Sequence, residues 1–363
     1  MTILVLCGEG NLCNMLARYA EAFRRRGIRL VCADPGFARN GTLDEWLRLC
    51  PERPSLIWHP ESDVPFLPWG LTSVDIPTAC FQVDTYAYTS KRIAWSMLFD
   101  LALVFHPGYE VQFRDAGHPG ARFVAHAVDG QHFAGPEMER IYDVGWVGQI
   151  NGPIYGMRGP ILSDLAKSFR MNDAKRRYSL EEMARVYRQS KIVVNVGRDD
   201  YPQDANLRTF EAMAGGALLI TSLPTELATI GFEEGVHFVG YRDAGEIAAL
   251  VRRYVGDEPA RRKIGEAARK KVLDEHTYDR RVDMFLELIA QFENERSAPA
   301  RGWAESRVRL TYLDYFAGNG ALDCASMELA KIARLSLPNA AAGAALLGRA
   351  WARGRIKIHF GRN

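Results

Sequence analysis

The sequence predicts an α/β protein of two doubly wound, Rossmann-like sheets facing each other across a cleft, with a helical extension at the C-terminus. Three observations carry this. Short apolar runs rich in Ile, Leu and Val alternate with amphipathic helical stretches, the pattern of parallel strands joined by right-handed crossovers. The alternation starts afresh at Tyr142 after a turn at Asp129-Gly130. At 363 residues the chain is long for one core and comfortable for two. The boundaries expected are a first Rossmann-like domain at residues 1–140, a second at 141–295 and a helical extension at 296–363.

In the first domain a buried strand is expected at residues 2–7. The turn Gly8-Glu9-Gly10 follows, then an amphipathic helix from Asn11 to Arg26 stopped by Gly27, and a strand from Ile28 to Ala33. Further strands are read at 55–58, 78–83, 101–105 and 121–124, with helices at 43–49 and 91–97. In the second domain the strands are 142–148, 191–196, 217–221 and 237–239. Ser179 and Glu182 have the spacing of a capping box opening a helix to Gln189. Other helices are expected at 158–169, around Glu211, and at 244–255, 259–273 and 278–295. Between Phe169 and Tyr178 there is scant room for a strand and its turns, so the second sheet is either trimmed there or has a minimal strand. The extension has candidate helices at 310–316, 325–335 and 340–351.

Composition narrows the function. With 46 basic against 44 acidic side chains, no overall field attracts nucleic acid. The six cysteines have no metal-ligand spacing and read as reduced thiols. No basic leader precedes the first strand and no apolar run reaches a membrane span, so a cytoplasmic location is expected. After Glu328 the sequence has seven basic residues and no acidic one. With Leu346, Leu347, Trp351 and Ile356 interleaved, that segment suggests peripheral contact with an anionic membrane or an acidic partner, against the plainer reading of a basic tail folded on the body.

The most informative stretch is Arg208-Thr209-Phe210-Glu211-Ala212-Met213-Ala214-Gly215-Gly216, followed by the strand Ala217-Leu218-Leu219-Ile220-Thr221. It reads as a helix with a carboxylate in its early turns, a glycine stop and a buried strand. A carboxylate so placed lies at the rim of the sheet, where α/β proteins bind ligands. The segment resembles the nucleotide-sugar-binding helix of GT-B glycosyltransferases, in particular the CgeB-like (spore maturation) group related to the retaining family-4 type. The run Asn206-Leu207-Arg208-Thr209-Phe210-Glu211 matches that group's N-x-R-x-F-E pattern. The resemblance implies a Glu211 that holds the ribose hydroxyls of a nucleoside-diphosphate sugar. It also implies that Arg158, with the glycine-rich loop from Gly148, and Arg208 receive the diphosphate. Asn206 and Thr209 would orient the loop or touch the donor, and Arg198 could add a phosphate contact. In the family-4 type a second glutamate precedes the first by eight positions; here Gln203 stands there, beside Asp204, so the donor-sugar contact is left open.

In the first domain Asp84, at the carboxyl end of its strand, is the candidate base or acceptor-positioning carboxylate; the alternative is a helix N-cap. His59 and His106, also at strand ends, rank below it as structural residues. The Gly8-Glu9-Gly10 turn would line the acceptor side of the cleft. Asp129 is read as a hinge residue satisfying local backbone, and His276-Thr277-Tyr278 as an architectural helix start. No cofactor and no metal are expected beyond the donor sugar itself, and retention of configuration follows only by analogy. The acceptor class, whether glycan, lipid or protein, is open. The main rival is an NAD(P)-dependent enzyme, since Gly8-x-Gly10 follows a strand and Asp34 ends the next; Cys13 in place of a third glycine and Glu9 in the turn weigh against it. A GT-B binding protein without turnover is the third reading.

Overall fold

The computed structural model describes residues 1–7, 14–32, 42–61, 68–292 and 298–352. The chain forms two compact units: Met1–Val124 joined by the chain from Phe285 onward, and Ala125–Met284.

In the first unit, β1 (Thr2–Val5), α1 (Asn14–Arg25), β2 (Arg29–Cys32), α2 (Leu43–Leu47), β3 (Leu56–His59), β4 (Thr78–Gln82), α3 (Thr89–Ser96), β5 (Leu101–Val104), α4 (Pro107–Asp115) and β6 (Ala121–Phe123) follow in turn. The sheet has the order β2-β1-β3-β4-β5-β6 with every neighbouring pair parallel. Its central strands are buried on both faces, which is why they read as unbroken apolar runs and not as alternation. Gly27 ends α1 at φ +71°, as its place after the basic turn Arg24-Arg25 predicts. Helix α4 leaves no mark in the sequence pattern. Its only buried residue is Phe113, so it offers no apolar stripe to find.

The second unit holds β7 (Tyr142–Gly145), α5 (Arg158–Leu165), α6 (Leu180–Arg188), β8 (Ser190–Asn195), α7 (Leu207–Ala214), β9 (Leu218–Ser222), α8 (Thr225–Thr229), β10 (Val239–Tyr241), α9 (Ile247–Gly256), α10 (Glu258–Glu275) and the first half of α11 (Tyr278–Phe292), whose residues from Phe285 belong to the first unit. The four strands pair in parallel in the order β10-β9-β8-β7. The stretch between Phe169 and Tyr178 contributes a single parallel bridge, Met171 to Val144, the minimal strand its length allows. The Ser179–Glu182 capping box forms as its spacing predicts, with the Ser179 Oγ accepting from the Glu182 N–H at 3.2 Å and the Ser179 N–H donating to the Glu182 carboxylate at 2.9 Å. Five-residue α8 is too short to show periodicity in the sequence.

At the start of α11 the backbone of Val128 exchanges hydrogen bonds with His276 and Tyr278, and the Thr277 hydroxyl accepts from Arg280 N–H. The motif is architectural, as its sequence suggests. Phe285, where the helix becomes part of the first unit, packs within that unit among Phe23, Trp58 and Phe81.

The C-terminal helices α12 (Glu305–Asn319), α13 (Leu322–Ala333) and α14 (Leu337–Ala352) are part of the first unit, where the sequence suggests an appended segment beginning at 296. The cause is shared core. Val308, Tyr312, Leu313, Phe316, Ala325 and Ile332 are buried with Trp95, Leu98 and Phe99, and Trp95 lies 4.6 Å from the ring of Tyr312 and 4.5 Å from that of Tyr315. Buried Asp100 anchors both parts, accepting from the Thr78 N–H and hydroxyl at 2.9 Å and from the Ala298 N–H at 3.0 Å. Within the bundle Arg309, 2% exposed, pairs with Glu305 at 2.8 Å and with buried Glu328 at 3.4 Å. Among the described residues no helix is long and apolar enough to cross a membrane.

Candidate functional site

In the second unit β8 and β9 end in polar residues, Asn195 and Thr221-Ser222, that meet side chains of α7. Asn195, 1% exposed at the end of β8, is the hub. Its amide nitrogen donates to the hydroxyls of Thr209 and Thr221, each at 3.2 Å, and its carbonyl oxygen accepts from Arg208 at 3.0 Å and from Asn206 at 3.4 Å. A buried amide with its donors and acceptor used this way fixes its neighbours' rotamers. Sequence pattern shows Asn195 only as part of a strand; an amide closing an otherwise apolar run is the one signal it offers.

Arg208, in the first turn of α7, is held three ways. Its Nε donates to the carbonyl of Val147 at 2.9 Å, one terminal nitrogen reaches Asn195, and its guanidinium lies 4.0 Å from the Trp146 ring. The space for it comes from Gly148, where a Cβ would stand 2.0 Å from an Arg208 terminal nitrogen; the same glycine has φ +145°. Gly148 thus acts through what it lacks.

Arg158, at the start of α5, is 5% exposed. It donates to the carbonyls of Val196 at 2.9 Å and Gln149 at 3.0 Å and stacks 3.8 Å over Tyr155. Burial, reinforced by the nearby charges of Arg208 and Arg198, pulls its pKa down to about 10. The Arg198 guanidinium is engaged by Asp200 through two bonds of 2.9 Å. Three guanidiniums therefore share one strand-end region and repel one another, an arrangement that a polyanion relieves.

Glu211 lies one turn beyond Arg208 on α7. Burial pushes its carboxyl up to about 7, opposed by the Arg208 charge, and among the described residues no hydrogen bond or ion pair engages it. Thr209, fully buried, is an internal strut to Asn195 and offers nothing to solvent. Asn206 is the N-cap residue of α7, its carbonyl accepting from the Thr209 N–H at 2.9 Å, and its side-chain oxygen is buried with no partner among the described residues. Sequence reasoning also misses Glu226, 6% exposed. It holds the loop before α7 by accepting from the Tyr201 hydroxyl at 2.8 Å and the Ala205 N–H at 2.9 Å.

In the first unit Asp84 is exposed on the loop after β4 and accepts from the Tyr86 hydroxyl at 2.9 Å. It does not cap α3, whose N-cap is Tyr88, the one non-glycine with positive φ (57°) among the described residues. The loop is framed by a pair that the sequence does not reveal. Glu61 accepts from the Val83 N–H and pairs at 2.7 Å with Arg92, and Arg92 donates to the Ala87 carbonyl at 2.8 Å. His59 is buried against Trp95 and Phe99, and burial pulls its pKa down to about 4. His106 is 1% exposed and packs against Tyr86 and Tyr109. His59 ends β3 and His106 follows β5, both interior strands of the sheet. Asp129 accepts from the Gln131 N–H at 3.1 Å, the local role expected of it. The turn Gly8-Glu9-Gly10, Cys13 and Asp34 lie outside the described residues.

Two parallel sheets with crossover helices, the second carrying a cationic strand-end site, define the class: the fold is that of the GT-B glycosyltransferases. Solved structures share it at low identity. Sucrose-phosphate synthase from Thermosynechococcus elongatus matches with TM-score 0.56 and 14% identity over 80% of this chain and 99% of its own. Anabaena Alr3699/HepE, solved in complex with UDP and glucose, matches with TM-score 0.52 and 13% identity over 79% and 99%. The chain spans 51% of the length of S. aureus TarM, at TM-score 0.45 and 11% identity over 59% of this chain. Residues 139–287 match the family described as glycosyl transferase-like, which takes in the whole of the Asn195–Arg208–Glu211 region. No curated protein matches the sequence.

Proposed function

We propose that the protein is a glycosyltransferase that moves a sugar from a nucleoside-diphosphate donor to a glycan, lipid or protein acceptor, and that it belongs with the CgeB-like group. The carrying observation is the placement of Arg208 and Glu211 on successive turns of α7, the guanidinium locked by Asn195, Val147 and Trp146 and the carboxylate left unengaged among the described residues. The glycosyl transferase-like match over 139–287 and the UDP and glucose bound to the Anabaena relative support it.

In this reading the Glu211 carboxylate accepts from the ribose hydroxyls, and Arg208 with Arg198 meets the diphosphate beside the Gly148 backbone. Arg158, whose Nε and one terminal nitrogen are committed to main-chain carbonyls, contributes mainly charge and support for the loop. The bond from the anomeric carbon to the diphosphate breaks and a bond to the acceptor oxygen forms. The guanidiniums balance the charge left on the diphosphate without calling for a metal. Asp84 takes the acceptor's proton, with Glu61 and Arg92 holding its loop. Retention of configuration and peripheral membrane contact through the basic C-terminal segment belong to the same proposal, by analogy and by charge respectively.

The experiment is a thermal-shift screen with UDP, GDP, TDP and NAD on the wild type and Glu211→Ala, followed by turnover of the stabilising donor with and without EDTA. A ligand that binds the folded state raises the melting temperature. Stabilisation by one nucleoside diphosphate that is lost in Glu211→Ala supports the reading. Stabilisation by NAD alone, unaffected by the substitution, overturns it in favour of a nicotinamide-dependent enzyme. Donor binding with no turnover on any acceptor class would mark a binding protein of this fold.

A further inference from the structure

The second unit carries a separate, solvent-open cavity of about 270 Å³. Its walls come from the segment before β7, the turn from α6 into β8, the Gly215-Gly216 stop of α7 and the first turns of α10, so it lies at the N-terminal ends of the parallel strands. The edge that carries Asn195 and Arg208 is the opposite one. Six cations line the cavity: Arg140, Arg188, Lys191, Arg261, Arg262 and Arg269. The carboxylates Glu137, Glu258 and Glu266 on its wall, with Asp143 pairing Lys191 at 2.7 Å, leave the cations in excess.

Two of the cations are built into the end of α7. Arg140 donates to the carbonyls of Tyr187, Ser190, Gly215 and Gly216 at 2.9–3.2 Å, and Arg269 to those of Ala214 at 2.7 Å and Phe133 at 2.8 Å. Together they close the C-terminal end of α7, where orphan carbonyls need donors. Gly216 allows it: at φ +69°, a Cβ there would stand 3.0 Å from an Arg140 terminal nitrogen. Burial, with Arg269, Arg261 and Arg262 adding repulsion, pulls the Arg140 pKa down to about 10.

Of the other cations, Lys191 pairs with Asp143 at 2.7 Å, and buried Arg261 donates to the carbonyls of Tyr254 at 2.9 Å and Val255 at 3.1 Å; Arg262 and Arg188 are less committed. Arg262 is half exposed and shares itself among Glu137 at 3.3 Å, Glu266 at 3.4 Å and Glu258 at 3.9 Å, separations at which a solvated pair contributes little. Arg188 makes one bond to the Pro136 carbonyl. A phosphate group offers what these lack: several acceptor oxygens on one compact dianion, matched to forked guanidinium donors. The volume admits one or two phosphate groups with a small substituent and is slightly below the usual range for larger ligands, ~300–1,000 Å³.

We propose that this cavity binds a small phosphorylated anion, with Arg188 and Arg262 as its movable ligands and Arg140, Arg261 and Arg269 as a fixed cationic floor. The site does not depend on the donor reading. It does touch the far end of α7, so an occupant is placed to act on that helix.

The test is isothermal titration of the full chain with inorganic pyrophosphate and with inorganic phosphate at constant ionic strength. The comparisons are the wild type, Arg188→Ala/Arg262→Ala, Glu266→Gln and, as a distant control on α4 of the first unit, Arg114→Ala. The expected result is saturable pyrophosphate binding that falls at least ~10-fold in the double variant, which removes two charge-assisted hydrogen-bonding partners. It should strengthen in Glu266→Gln, which removes a competing carboxylate, and be unchanged in Arg114→Ala. Both cavity arginines are surface-accessible, and an unaltered thermal melt of the double variant certifies its fold. Equal affinity in wild type and double variant overturns the proposal, as does abolition by an equivalent concentration of chloride, which would reduce the cavity to general charge screening. UDP binding measured on the same samples reports on the donor site separately.

Discussion

Gly148→Ala gives the sharpest test of how the strand-end site is built. The new methyl would lie 2.0 Å from an Arg208 terminal nitrogen and 3.1 Å from its Cζ, at a residue whose φ is +145°. Two costs follow. The backbone strain of a side chain in that region is about 1–3 kcal/mol. The guanidinium must also leave, surrendering its bonds to Val147 and Asn195, and a hydrogen bond to a charged group contributes about 1.5–3 kcal/mol. The second cost exists only while Arg208 is present. In urea denaturation, Gly148→Ala is expected to destabilise by about 3 kcal/mol or more in the wild-type background and by only the strain when Arg208 is already alanine. Nucleoside-diphosphate binding should fall with it, because Arg208 no longer holds its position. Additivity of the two substitutions, or wild-type UDP affinity in Gly148→Ala, would refute the idea that Gly148 exists to seat that guanidinium.

Burial raises the Glu211 carboxyl to about 7, above an unfolded value near 4.5, so its contribution to stability is present below pH ~4.5 and is lost as pH rises through about 7. Glu211→Gln should therefore gain stability relative to wild type at pH 8 compared with pH 5, seen in paired melts. Hydroxyl donors favour the ionised carboxylate, so wild-type UDP affinity should rise between pH 6 and 8 and the Glu211→Gln affinity should not. Asn195→Ala leaves the Thr209, Thr221 and Arg208 groups without their partner in a buried setting, and is expected to cost about 1–3 kcal/mol by denaturation together with donor binding. Ending the chain before Glu305 strips Val308, Tyr312, Leu313 and Phe316 from the core around Trp95; the product should be aggregated or show an early melt, whereas an appended tail would leave the melt unmoved.

Much of the fold can be read from residue pattern alone, because strands buried on both faces must be continuously apolar and the helices between them must be amphipathic. The Ser179–Glu182 box, the Gly27 stop and the minimal strand at Met171 are local facts, fixed by spacing, capping chemistry and chain length. The Arg208–Glu211 helix is legible for the same reason: a polar pair preceding a glycine stop and a buried strand has few alternatives.

What tertiary structure alone decides is which distant groups meet. Asn195 joining Thr209, Thr221 and Arg208, the clearance Gly148 gives a guanidinium, and Glu226 fastening a loop more than twenty residues before it all depend on strand order and register. The same holds for Thr209, a candidate ligand by position that the fold turns inward. It holds most for the C-terminal helices, whose apolar residues announce that they pack but not against what. Tyr312 and Tyr315 find Trp95, more than two hundred residues earlier, because a helix's apolar stripe specifies burial, and only the assembled core specifies the partner.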